Sequence, residues 1–278
     1  MTHLTDSIKK VLDGCSGDER KEIRLHLATL APHPLEDELE VDAETILDAI
    51  KRSDPIGKRG IRGLVAKAVF ERDALPAAAK NGWTPVTGKP TDTFYDFHLE
   101  RGDRKVRIQV KLQRIEKFQP MRFNPKCYSE ELYDVEIQKT RGGKKRPKDQ
   151  MKGANALVEA VMENEDTRPY KFTDFDILAV NMHPLTKRWN NFRFTVASWL
   201  IARSKNSSLI EIHQPVAKEP NDVWTDDLNT CLDWFLSGDQ RKVLTDLKHG
   251  AWRPKKVGNP KRKTKAKRKL GANRGAKP

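Results

Sequence analysis

Apolar residues in the first fifty positions recur at helical spacing. Leu4, Ile8, Val11 and Leu12 form one stripe. Ser16 with Glu19 three residues on is a capping-box pattern for a second helix. Its apolar face would be Ile23, Leu25, Leu27 and Leu30, and the prolines Pro32 and Pro34 would end it. Asp42 would cap a third helix with a stripe of Ile46, Leu47 and Ile50, and the acidic run between Glu36 and Glu44 reads as a solvated face. Ser53-Asp54-Pro55 and Gly57 mark a break. A helix is predicted from Ile61 to about Arg72, with Leu64, Val65, Ala68 and Val69 facing inward.

The period then changes from helical to alternating. Phe94 to Glu100 alternates as a strand does, Arg101-Gly102-Asp103 is a turn, and Lys105 to Gln113 forms the return strand. On that strand Val106, Ile108, Val110 and Leu112 share one face, and Arg107, Gln109, Lys111 and Gln113 the other. Tyr133 to Lys139 is a third strand candidate. Phe175 to Met182 is a nearly continuous apolar run, as in a strand covered on both faces. Further strands are predicted at Phe192 to Ala197 and Leu209 to His213, and helices at Asp222 to Phe235 and Gly238 to Leu247. The expected architecture is an α/β core with a central mixed β-sheet flanked by helices, plus an N-terminal helical extension. Three parts are expected: a helical region at 1–53, serving as a small subdomain or a dimerisation element, an α/β domain at 54–250, and a tail at 251–278.

Charge changes this picture at one end. The 278 residues carry a formal net charge of +14. Twelve of the 53 Lys and Arg lie in residues 251–278, which hold no Asp or Glu, so residues 1–250 have 41 basic against 39 acidic side chains. The tail has too little apolar surface to offset its ordering entropy, and is expected to be a disordered arm that binds polyanions. No run approaches the ~20 apolar residues that cross a bilayer, and the N-terminus lacks a signal-peptide pattern. Three cysteines, Cys15, Cys127 and Cys231, show no paired spacing. A soluble protein of the cytoplasm is expected.

The hairpin carries the chemistry. Asp96 lies on its first strand, and Gln109 and Lys111 project from one face of the second. Whether Asp96 stands beside them depends on a register that the sequence leaves open. A carboxylate, an amide oxygen and an ammonium together could bind Mg²⁺, orient or deprotonate water, and offset charge on a pentavalent phosphorus.

At these residues the chain resembles the PD-(D/E)xK, or restriction-endonuclease-like, nuclease superfamily. Asp96 matches the first acid, and Gln109-Val110-Lys111 matches (D/E)-x-K with glutamine in place of the acid. Ile108-Gln109-Val110-Lys111 is similar to the Q-x-K variant of Mrr-type enzymes. An acid on the preceding helix is frequent in the family, and Glu71 fits it; Glu136 is the alternative supplementary acid. No proline precedes Asp96. The resemblance spans about Ile61 to Ala197. It implies a restriction-endonuclease-like core, Mg²⁺ held by Asp96, Gln109 and Glu71, and catalysis by these with Lys111. It also implies an endonuclease acting on double-stranded DNA, of a restriction type in defence against foreign DNA, working as a homodimer. A repair or junction nuclease, or an inactive nucleic-acid-binding protein of the same fold, is the alternative.

Basic segments mark where DNA would lie. Six of the ten residues at 139–148 are basic: Lys139, Arg141, Lys144, Lys145, Arg146 and Lys148. Lys187, Arg188 and Arg193 form a second patch beside Trp189, and Arg168-Pro169-Tyr170-Lys171 a third. Trp83, Trp199, Trp224 and Trp234 are expected in the core. A P-loop, G-x-S-x-G and H-E-x-x-H are all absent from the sequence.

Overall fold

The computed structural model describes residues 3–30, 33–86, 94–117, 119–123, 131–138 and 169–245. The expectations for the basic run 139–148, for Cys127, for Arg168 and for the tail lie outside these residues. Four helices come first: α1 (His3–Gly14), α2 (Gly17–Leu30), α3 (Pro34–Leu39) and α4 (Ala43–Arg52). Their caps follow the sequence. The Ser16 backbone N–H donates to Glu19 Oε2 at 2.7 Å, and Glu19 N–H to Ser16 Oγ at 3.3 Å, closing the capping box. Asp42 Oδ1 accepts from Thr45 N–H at 2.8 Å. The acidic run does more than face water, because Pro34 starts a short helix there, capped by His33. The apolar stripes, however, are not buried. Leu4, Val11 and Leu30 are each about two-thirds exposed, and α1, α3 and α4 bury no side chain.

Asp54 Oδ1 accepts from Gly57 N–H at 2.6 Å, and Pro55 fits the first helical position, so α5 runs Pro55–Val69. The predicted break is therefore the start of a helix, which begins ahead of the apolar pattern at Ile61. Its inward residues are Ala66, Val69 and Phe70; Leu64 and Ala68 face out. A π-helical turn, Phe70–Ala74, joins α5 to α6 (Leu75–Lys80). The strands follow: β1 (Thr84–Pro85), β2 (Phe97–Arg101), β3 (Arg104–Leu112), β4 (Ile115–Glu116), β5 (Gln119–Pro120) and β6 (Leu132–Glu136). Then come β7 (Ile177–Asn181), α7 (His183–Thr186), β8 (Phe192–Val196), β9 (Ala202–Arg203), β10 (Asn206–Ile210), β11 (His213–Ala217) and α8 (Leu228–Ser237).

The result is an α/β fold around a mixed five-stranded sheet of order β1-β2-β3-β7-β8. β3 pairs antiparallel with β2 and parallel with β7. The hairpin closes at Gly102, whose φ of +56° lies where a residue without Cβ is unstrained. Asp176 latches β3 to β7. It accepts Arg107 backbone N–H at 2.8 Å, Nε at 2.9 Å and Nη2 at 2.8 Å. All five residues of β7 are buried, as its continuous apolar run predicts. Phe70 is fully buried, with its ring 4.9 Å from Phe97, 5.7 Å from Phe192 and 6.3 Å from Phe194. These contacts fix α5 over the sheet face beside the hairpin. Truncating such a side chain to Ala costs about 3–5 kcal/mol.

Several elements differ from expectation. The segment 209–213, expected as one strand, spans the end of β10 and the start of β11, and the helix expected from Asp222 begins at Leu228. The strand expected beside the hairpin at 133–139 is β6, and it pairs with β11 in a separate two-stranded ladder. Just past the end of β3, Arg114 N–H donates to Asp134 O at 2.9 Å. No helix forms over 238–245, because Gly238 at φ +73° ends α8 in the left-handed region.

Candidate active site

Register places the hairpin groups together. Phe97 pairs with Ile108, and one step further Asp96 N–H donates to Ile108 O at 2.9 Å. Asp96 therefore stands opposite Gln109, and opposed residues share a face. Their side chains meet: Gln109 Nε2 donates to Asp96 Oδ2 at 2.5 Å, and Val110 N–H donates to the same oxygen at 2.9 Å. Asp96 is 8% exposed and Gln109 4%. A carboxylate this enclosed depends on its hydrogen bonds, since losing one partner exposes a full desolvation penalty.

The other carboxylate oxygen has a partner to which the sequence does not point. Lys67 Nζ, from α5, lies 2.5 Å from Asp96 Oδ1. Glu71, four residues further on, is exposed in the π turn, and no hydrogen bond or ion pair among the described residues ties it to Asp96.

Lys111 lies on the same strand face as Gln109, two residues on. Its Nζ donates to Gln138 O at 3.2 Å and to Tyr170 Oη at 3.4 Å, and sits 5.2 Å from the centre of the Tyr170 ring. Burial pushes the Lys111 ammonium down to about 8; Asp96 and Glu136 pull it back up, and Lys67 adds to the depression. Tyr170, expected on a basic surface patch, is instead 5% exposed. Burial raises its phenol above the usual range, and the Asp96 charge raises it further.

Beyond Lys111 the polar strip continues onto the β6–β11 ladder. Gln138 donates its amide to Glu136, and Arg114 Nε lies 3.6 Å from Glu136 Oε2. Asp134 is fully buried; His213 Nδ1 is 2.9 Å from its Oδ2, and Arg114 Nη1 is 3.4 Å from the same oxygen. Alternation along β6 puts Asp134 and Glu136 on one face. The His213 partnership leaves no local trace in the sequence, because it joins residues 79 apart.

The other predicted DNA contacts divide. Lys187 and Arg188 are exposed after α7, and Lys187 lines a surface hollow of about 340 Å³ with Arg122, Tyr133 and Leu185. Arg193 leaves the surface patch: it is 4% exposed and donates to Lys218 O at 2.5 Å. Trp83, Trp199 and Trp224 are buried, as expected of core residues. Among the described residues no helix is long and apolar enough to cross a membrane.

No protein-family model and no curated protein matches the chain. One solved structure that is similar to it is a bacterial homing endonuclease, 15% identical over 59% of this chain and 79% of that one, with a TM-score of 0.31. That likeness assigns no residue a role.

Proposed function

We propose that this chain is a Mg²⁺-dependent endonuclease that hydrolyses phosphodiester bonds in double-stranded DNA. One observation carries the reading: Asp96, Gln109 and Lys111 stand on one face of a hairpin, with Asp96 bonded to Gln109 at 2.5 Å. A structural ion pair would need neither the amide nor a lysine driven into low dielectric beside it.

The donor set fits Mg²⁺. The Asp96 carboxylate already accommodates a cation, the Lys67 ammonium. No group of three His, Cys, Asp or Glu is gathered among the described residues. Few protein ligands suit Mg²⁺, which keeps several waters and takes oxygens from substrate phosphate. Asp96 and Gln109 would hold it, with Glu136, whose charge reaches Lys111, as a supplementary acid in preference to Glu71. Bound there, the ion would supply Lewis acidity and a more acidic water.

The chain's own groups do the rest. Lys111, with its proton affinity lowered by burial, accepts a proton from the attacking water or neutralises the phosphorane. The water oxygen bonds to phosphorus, the P–O3′ bond breaks with its electron pair going to O3′, which takes a proton from solvent, and the products are a 5′-phosphate and a 3′-hydroxyl. Gln109 holds Asp96 in orientation. Lys187 and Arg188, with the basic run 139–148, would carry backbone phosphates. Two strands need two such sites, so a homodimer is proposed, with the exposed stripes of α1 and α2 as its contact. A restriction role in defence is the biological setting proposed.

Plasmid and phage DNA incubated with the full chain should be cut with Mg²⁺ and left whole with EDTA. Asp96→Asn and Lys111→Met should each lose about a hundredfold or more in rate. DNA binding with no cutting of linear, branched or methylated duplexes under any divalent cation would favour the inactive binding protein instead.

A further inference from the structure

The Asp96 carboxylate is enclosed, yet it sits at one end of an ion pair whose other end reaches solvent. The side chain of Asp96 is 11% exposed and that of Lys67 is 40% exposed. The two Asp96 oxygens are treated differently. Oδ2 is fixed by Gln109 and by the Val110 backbone, both on the same strand. Oδ1 is paired with Lys67, the end of a long and flexible side chain from a different element, the helix α5. A backbone donor cannot leave without breaking the hairpin, whereas an ammonium on four methylenes can swing into water at small cost.

We infer that Lys67 is a resident counter-ion of Asp96 that a divalent cation must displace, so that it sets the metal concentration at which the site fills. This rests on the proposed metal site. In the metal-free protein Lys67 spares the enclosed carboxylate from standing unpaired, which is strongly unfavourable. When a divalent ion arrives, two cations compete for one oxygen, and the apparent affinity falls by the strength of the ion pair that is broken. Lys67 then holds its charge at the mouth of the site. Lys67 is in this sense a positioning residue and not a metal ligand.

The test is a titration of the full chain with Mn²⁺ near neutral pH, read by the electron paramagnetic resonance of free Mn²⁺. Lys67→Met should bind Mn²⁺ about tenfold or more tightly than the wild type, since the competing charge is gone. Lys67→Arg keeps the charge and should stay within about threefold of wild type. Asp96→Asn should lose the saturable site. Circular dichroism and thermal melting of each variant check that it folds. Equal or weaker Mn²⁺ binding by Lys67→Met, with Asp96→Asn still abolishing the site, overturns the counter-ion role and leaves the metal site standing. Unchanged binding by Asp96→Asn overturns the metal site, and the role of Lys67 with it. The half-saturating Mg²⁺ for DNA cleavage should fall in Lys67→Met by the same factor as the Mn²⁺ constant.

Discussion

Gln109 presents its amide nitrogen to the Asp96 carboxylate at 2.5 Å. The amide is thus a donor to the carboxylate, and replacing it by an acid turns attraction into repulsion. Gln109→Glu should lower stability in EDTA by about 1–3 kcal/mol. Millimolar Mn²⁺ should restore most of that loss, because two carboxylates want a cation between them. Urea denaturation with and without metal measures both quantities. A variant equally stable in both conditions would count against a shared metal position.

Lys111 gives a pH signature. Its ammonium titrates near 8 in the folded chain against an ordinary value of 10.5, with burial as the main cause. Asp96, Glu136, Lys67 and Tyr170 are the charged or titratable groups around it. The unfolded chain therefore binds more protons between about 8 and 10.5, so this group makes stability rise with pH across that window. Below pH 8 its cost is fully present. Lys111→Met should stabilise the protein near pH 7 by about 1–3 kcal/mol, and its advantage over wild type should shrink toward pH 10. Denaturant midpoints of both proteins at several pH values check the sign.

Arg107 and Asp176 form the latch between β3 and β7, with three donors on one carboxylate. Arg107 is one-third exposed, so the pair is screened in part. Asp176→Ala should still cost about 2–3 kcal/mol, because the backbone N–H and the guanidinium lose their acceptor together. Its effect on cleavage should come through β3, as a fall in rate in step with the fall in stability.

In the Asp134–His213–Arg114 cluster the carboxylate and the imidazole are buried while Arg114 is one-third exposed, and the cluster tests a structural role. Asp134→Ala leaves His213 and Arg114 without their common partner and should destabilise by about 3–5 kcal/mol. His213→Asn should cost less, since Arg114 still satisfies Asp134. Full stability with cleavage abolished in both variants would instead give the cluster a part in the chemistry.

Removing residues 251–278 deletes twelve basic side chains. DNA binding should weaken, and the slope of log affinity against log salt should fall by about 0.9 for each phosphate that is no longer neutralised. Cleavage by the remaining chain should survive at low salt.

The parts of this fold that depend on local rules are legible in the sequence. The caps at Ser16 and Asp42, the hairpin closed at Gly102, and the buried run of β7 all follow from a few neighbouring residues. Asp96 is legible as a candidate, but its bond with Gln109 is decided by register. What local rules miss is long-range. The pairing of β6 with β11 joins residues 77 to 85 apart, and it sets β6 in a ladder other than that of the hairpin. Lys67 is hidden because an isolated lysine on a helix ordinarily means solvent; only the packing of α5 along β3 turns it inward. Tyr170 and Arg193 mislead for the same reason, since basic neighbours indicate surface while both side chains end inside.

The opening helices α1, α3 and α4 bury no side chain, while the core begins at Ala66. Such a segment adds little to the free energy of the remainder. A shortened chain beginning at Asp54 should melt at nearly the temperature of the whole, so that the first fifty-odd residues are left to serve contact with a second copy and do not hold the α/β body together.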